Sequence, residues 1–170
     1  MILGMSTAAY TLIHVLISLV GIGSGFIVLY GLLNGKLLSG WTVLFLVTTV
    51  ATSVTGFGFP FDHLLPSHKV GIVSLLALTV AILALYVFHL ARGWRRTFVI
   101  SAILSLYLNV FVLVAQAFMK VPVLKALAPT QSEPPFLVAQ LVVLALFVVL
   151  TVLAVKRFRE KSAIPYKRAA

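Results

Sequence analysis

Imidazole is the most versatile chemistry in this sequence, and it is scarce: four histidines stand with three carboxylates and no cysteine in 170 residues. Two of the histidines and one acid share the segment Asp62-His63-Leu64-Leu65-Pro66-Ser67-His68. A carboxylate and two imidazoles so close together, joined by His14, make a candidate copper or zinc site of His14, Asp62, His63 and His68. Imidazole is also the usual axial ligand of haem held without covalent attachment, so His14 with His68 or His63 would hold one haem b edge-on. Phe57, Phe59 and Phe61 would then pack the porphyrin. A quinone headgroup is a third ligand for the same region, hydrogen-bonded by a histidine, Gln116 or Gln140, and Asn109 completes the candidate cofactor-binding set of His14, His63, His68, Gln116, Gln140 and Asn109. The lack of cysteine excludes disulfides, thiol catalysis, iron–sulfur ligation and c-type haem attachment.

The elements that must position these residues are read from long apolar blocks. Hydrophobic residues make up 62% of the chain and charged residues 9%, far below the roughly 25% charge of an ordinary soluble domain. A soluble exterior cannot be built from so few charges. Residues 8–33, 41–59, 70–90, 97–119 and 136–155 contain no Asp, Glu, Lys or Arg, and each is near or above the ~20 residues a helix needs to cross the ~30 Å hydrocarbon layer. Strand alternation is absent, which argues against a membrane β-barrel. The expected fold is therefore an all-α integral membrane protein: a five-helix transmembrane domain over 1–155 and a basic tail over 156–170. The first block has no basic residues before it and is too long for a cleavable signal peptide, so it is read as a retained helix.

Charge sets the expected orientation. Lys36, Arg92, Arg95, Arg96 and the six basic residues after position 155 fall on one side of a five-span chain, against Lys69, Lys120 and Lys125 on the other. The positive-inside rule then puts the amino terminus outside and the carboxyl terminus in the cytoplasm, as expected of a bacterial inner-membrane protein. The net charge of +10 is thus assigned to anionic lipid at the cytoplasmic tail and not to nucleic acid. In this orientation His14, with helix one starting near residue 8, lies roughly 9 Å into the outer half. Thr55, Gln116 and Gln140 are near outer helix ends, and Asp62, His63 and His68 are in an outer loop. Polar side chains therefore gather at one end, with His89 and mid-depth Asn109 as exceptions.

Helix faces follow from 100° per residue. His14, Ser18, Gly21 and Gly25 share a face of helix one; Thr48, Thr52 and Thr55 align on helix two; Ser101, Ser105, Asn109 and Gln116 align on helix four. Small and polar residues mark helix contacts in a bilayer, so the Gly21–Gly25 pair reads first as packing within the monomer and second as a dimer contact. Residues 92–96 read as a tight turn, and residues 123–128 as a single surface turn between prolines.

The functional expectation is a small membrane protein with an outward His/Gln pocket for haem b, a metal ion or quinone in membrane redox chemistry. In outline this resembles small membrane cytochromes that hold haem in a helix bundle, and with only His89 on the inner side it implies at most one haem. Competing readings are a non-catalytic membrane subunit or assembly factor acting through helix and loop contacts with a protein partner, and an oligomeric channel or carrier built from several copies. Each histidine also has a plain structural role open to it. His14 can bond Thr55 or Gln116 across the bundle, a contact worth ~0.6 kcal/mol on average in membranes. No span holds the lysine a retinal protein needs or the carboxylate usual in proton-coupled transport, and neither a serine-hydrolase triad nor an HExxH helix is present. No reaction is specified by any motif.

Overall fold

The computed structural model describes Ile2 and residues 4–59 and 66–160, with backbone only at 66, 159 and 160. Asp62 and His63 lie outside the described residues. The described chain folds as six α-helices: α1 (Thr7–Leu33), α2 (Ser39–Gly56), α3 (Pro66–Ile82), α4 (Trp94–Lys120), the short α5 (Pro122–Leu127) and α6 (Pro134–Glu160). Five of them are long and apolar enough to cross a membrane, as the apolar blocks predict. Such helices satisfy every interior backbone group within one segment, which a lipid environment demands.

Helix ends follow local chemistry. Ser6 caps α1, its hydroxyl accepting from Ala9 N–H at 3.2 Å, as a β-region N-cap serine does. The α1–α2 connection turns at Gly35, whose φ of +67° is costly for other residues. A side chain at Gly31 would meet Leu38 at 2.8 Å, so that turn is tightly packed. α3 passes into a π-helical turn at Leu83–Val87, and the chain then crosses His89, Leu90 and Arg92, all at positive φ. The turn expected at 92–96 is therefore centred a few residues earlier. Trp94 begins α4 and stacks face to face on Phe88, centroids 3.8 Å apart. The cause is the π turn, which ends α3 before residue 88 and frees Phe88 to pair with Trp94. The surface turn expected at 123–128 is α5, opened by Pro122 at a position where a missing N–H costs nothing. α6 continues to Glu160, past the span end expected at 155, so the first basic residues of the tail are its last turn.

The long helices alternate in direction. One end of the bundle holds His14, Thr55 and the α4–α6 connection, and is here called the histidine end; the other holds Arg92, Arg95, Arg96 and the close of α6, the arginine end. α4 is central and touches α1, α2, α3 and α6. The apolar core lies towards the arginine end, where Leu32, Phe45, Leu78, Phe98, Val99 and Leu106 are almost wholly buried. Glycine permits the closest approach: a Cβ at Gly25 would come 2.5 Å from Leu106 Cδ1 and 3.0 Å from the Phe45 ring. Since lipid is as apolar as leucine, this fit is the main source of helix association. The Gly21–Gly25 pair is spent on packing within the chain.

Candidate functional site

Towards the histidine end, polar contacts replace apolar packing. The α1–α2 seam is closed by Tyr10, whose hydroxyl donates to the Thr55 carbonyl at 2.8 Å, and by His14, whose Nδ1 lies 2.8 Å from Thr55 Oγ1. Ser53 bonds Ser74 across α2–α3 at 3.1 Å. Gln140 Nε2 donates to the Phe111 carbonyl at 3.1 Å, joining α6 to α4, and Gln131 Nε2 donates to the Ala115 carbonyl at 2.8 Å, holding the loop before α6 on α4.

The direction of the His14–Thr55 bond is tied to where the Thr55 hydroxyl proton goes. The Thr55 hydroxyl carries one proton, and the Ala51 carbonyl one turn back receives it at 2.7 Å. With that proton on the carbonyl, Thr55 Oγ1 accepts from His14 Nδ1 and the lone pair falls on Nε2; in the other tautomer the hydroxyl donates to Nδ1 and the ring proton sits on Nε2. The ring is fixed by Phe59, edge-to-face at 5.3 Å, and Phe59 meets Tyr10 in the same manner at 5.1 Å. Gly56 and Gly58 keep the end of α2 narrow. A Cβ at Gly56 would lie 3.8 Å from His14 Cε1, and one at Gly58 would overlap the Tyr10 hydroxyl. His14 is half-buried.

From His14 a polar seam runs inward between α1, α2 and α4. A Cβ at Gly21 would lie 3.3 Å from both Thr48 Oγ1 and Thr49 Oγ1 and 3.7 Å from Asn109 Nδ2, so three helices converge at this glycine. Thr48 is satisfied by the Leu44 carbonyl at 2.6 Å. Thr49 Oγ1, Thr52 Oγ1 and Asn109 Nδ2 are buried with no hydrogen-bond partner. Of these, Thr49 and Asn109 meet at Gly21. Thr49 is fully buried and lies one position off the expected 48/52/55 stripe, on the face of α2 formed by the buried residues Thr42, Phe45, Leu46, Thr49 and Ser53.

The other expected site residues are placed apart. His68 is buried, yet it lies on α3 and stacks on Phe57 at 5.4 Å. The end of α2 thus carries one aromatic for each histidine: Phe59 for His14 and Phe57 for His68. Gln140 is pinned to α4, with its Oε1 unpartnered. Gln116 is exposed on α4, and His89 is exposed in the turn before it. Asn109 joins the His14 side of the bundle through the Gly21 seam. Among the described residues no three His, Asp or Glu side chains gather as metal ligands. Tyr10 and Thr49 were not singled out by sequence; the Tyr10 position, one turn before His14, was the available signal.

What fold and site together define is a class: a helix bundle whose five apolar helices are consistent with an integral membrane protein, with a polar seam entering from one end. Comparison with protein-family models, with curated proteins and with solved structures found no match for this chain.

Proposed function

We propose that this chain is an inner-membrane protein, amino terminus outside and basic tail in the cytoplasm, that binds a quinone-type headgroup at His14. The observation that carries this is the 2.8 Å contact between His14 Nδ1 and Thr55 Oγ1, which holds the ring in place; in the proposed tautomer Thr55 takes the Nδ1 proton, donates its own to Ala51, and leaves the Nε2 lone pair for a ligand hydroxyl. A neutral histidine oriented by a second group is the usual state of a working imidazole. The orphaned Thr52, Thr49 and Asn109 atoms extend the polar surface inward, and Phe59 supplies an aromatic wall. Haem and metal versions ask for a second ligand near His14; His68 is stacked on a different aromatic, Phe57, and Asp62 and His63, the other ligands expected, lie outside the described residues. Binding alone is assigned; no redox step is.

The test is protein purified from native membranes in mild detergent, extracted for quinone and examined by absorption spectroscopy and elemental analysis. About one quinone per chain is expected, lost in His14→Ala and retained in His68→Ala. A Soret band or stoichiometric copper, zinc or iron would replace the quinone reading with the haem or metal one. Colourless, metal-free protein without quinone would leave the second reading, a membrane subunit. That reading has its own support in α6, whose span is 17% buried against 28–39% for the other four; most of its surface is open to lipid or to a partner helix.

A further inference from the structure

At the arginine end, Arg92, Arg95 and Arg96 surround a cavity of ≈ 390 Å³ whose remaining walls include Val99, Val155 and Phe158. The Arg95 guanidinium lies 5.5 Å over the Phe158 ring, which ties the start of α4 to the end of α6. Opposite charge is scarce here. The chain has three acids, Asp62, Glu133 and Glu160. Glu133 is at the histidine end, and along the sequence Glu160 is one acid beside Lys156, Arg157 and Arg159, apart from the three arginines. Positive charge therefore remains in excess around the cavity. Guanidinium is the side chain best suited to the planar, two-point binding of a phosphate.

A second feature lies on the same seam. Beyond Val99 and Val155, α4 and α6 form an apolar groove of ≈ 240 Å³ whose walls include Ile100, Leu104, Leu144, Phe147 and Val148. Residues 96, 100, 103 and 107 of α4 share one helical face, as do 155, 151, 148 and 144 of α6, so cavity and groove follow one another along the same α4–α6 seam. Ile100, Leu104, Leu144 and Val148 are 39–53% exposed, open on the lipid side. A charged cavity followed along one seam by an apolar groove has the polarity profile of a phospholipid, a phosphate head followed by an acyl chain.

We propose that this seam is a binding site for one anionic phospholipid, its phosphate held by Arg92, Arg95 and Arg96 and one acyl chain lying between α4 and α6. The site is at the opposite end from His14 and does not depend on the quinone reading. It is tested on the full-length protein by native mass spectrometry and by thermal shift, with phosphatidylglycerol, phosphatidylcholine and inorganic phosphate as separate probes. Phosphatidylglycerol is expected to be retained and to stabilise, phosphatidylcholine to bind much more weakly, and inorganic phosphate to give little shift. Each arginine near a lipid surface contributes about fivefold, so Arg95→Gln with Arg96→Gln should weaken phosphatidylglycerol retention about twenty-five-fold. Leu104→Trp, which fills the groove and leaves every charge in place, should also reduce retention, and His14→Ala should not. Three results overturn the proposal: unchanged lipid preference in the double arginine variant, an equal loss from Lys156→Gln with Arg157→Gln, or inorganic phosphate binding as well as the lipid. The second would mean diffuse attraction, and the third a soluble anion site.

Discussion

A histidine gains a direction from its neighbours, and here that neighbour is a single hydroxyl. Thr55→Val removes the acceptor of the Nδ1 proton but keeps the shape of the side chain, so His14 can take either tautomer. Quinone affinity in that variant is expected to fall about tenfold, measured by titration of the purified protein, while thermal stability changes little. An affinity equal to that of the unsubstituted chain would mean that Thr55 does not orient the ring. Asn109 makes the opposite test. Its Nδ2 is buried and unpartnered, so Asn109→Leu, of similar volume, should leave the midpoint of thermal unfolding unchanged or raise it. A drop of several degrees would reveal a polar partner that the folded chain does not itself contain. Of the candidate residues, His14 and its partner Thr55 were legible in the sequence because both sit at helix-end registers on facing stripes. Gln116 and Gln140 carry the same residue chemistry, and their separation from His14 was not legible, since it depends on which helices touch α4 and at what tilt.

At the scale of the helix, two glycines two residues apart behave differently. Gly25 faces Leu106 and Phe45, whereas Gly23 has open space around it. Gly25→Leu should destabilise by about 1–3 kcal/mol through overpacking, and Gly23→Leu should be close to neutral, both read from thermal unfolding in detergent. Equal effects would place the packing face of α1 elsewhere. The start of α6 gives a pH prediction. Glu133 accepts from the Thr130 hydroxyl at 2.8 Å and from the backbone N–H groups of Thr130 and Ser132 at 3.1 Å. Desolvation is the largest single influence and opposes ionisation, but these hydrogen bonds together outweigh it, so the carboxyl is held below its ordinary range. Because folding lowers this pKa, the contribution is complete above the unfolded value and is lost as the pH falls through the folded one. Amide exchange over residues 130–137, corrected for intrinsic rate, should therefore rise selectively in acid, and Glu133→Gln should show that rise already at neutral pH. The helix itself was readable from its apolar block; the turn that starts it depends on Gln131 at positive φ and on its bond to α4, which no local pattern announces.

The whole molecule is asymmetric along its length, with an apolar core towards the arginine end and polar seams towards the histidine end. That division fits a protein whose two ends meet different chemistry, and its orientation can be tested directly. The chain has no cysteine, so single substitutions report without background. With a membrane-impermeant thiol reagent on intact cells, Ser132→Cys should label and Gly93→Cys should label only after permeabilisation. The reverse pattern would invert the orientation expected from the distribution of lysine and arginine.

The number of long helices, their approximate limits and the end at which polar groups collect follow from composition along the chain, because hydrocarbon imposes a length and an apolar character on every span one segment at a time. The position of α4 at the centre, the division of the two histidines between separate aromatic partners, and the alignment of an arginine cavity and an apolar groove along one α4–α6 seam were decided only by the packing of helices against one another. In a bilayer that packing is selected by steric fit at residues such as Gly21 and Gly25 and by a few hydrogen bonds of modest energy. Fit of that kind belongs to pairs of helices and not to any one of them, and hydropathy along a single segment carries no record of it.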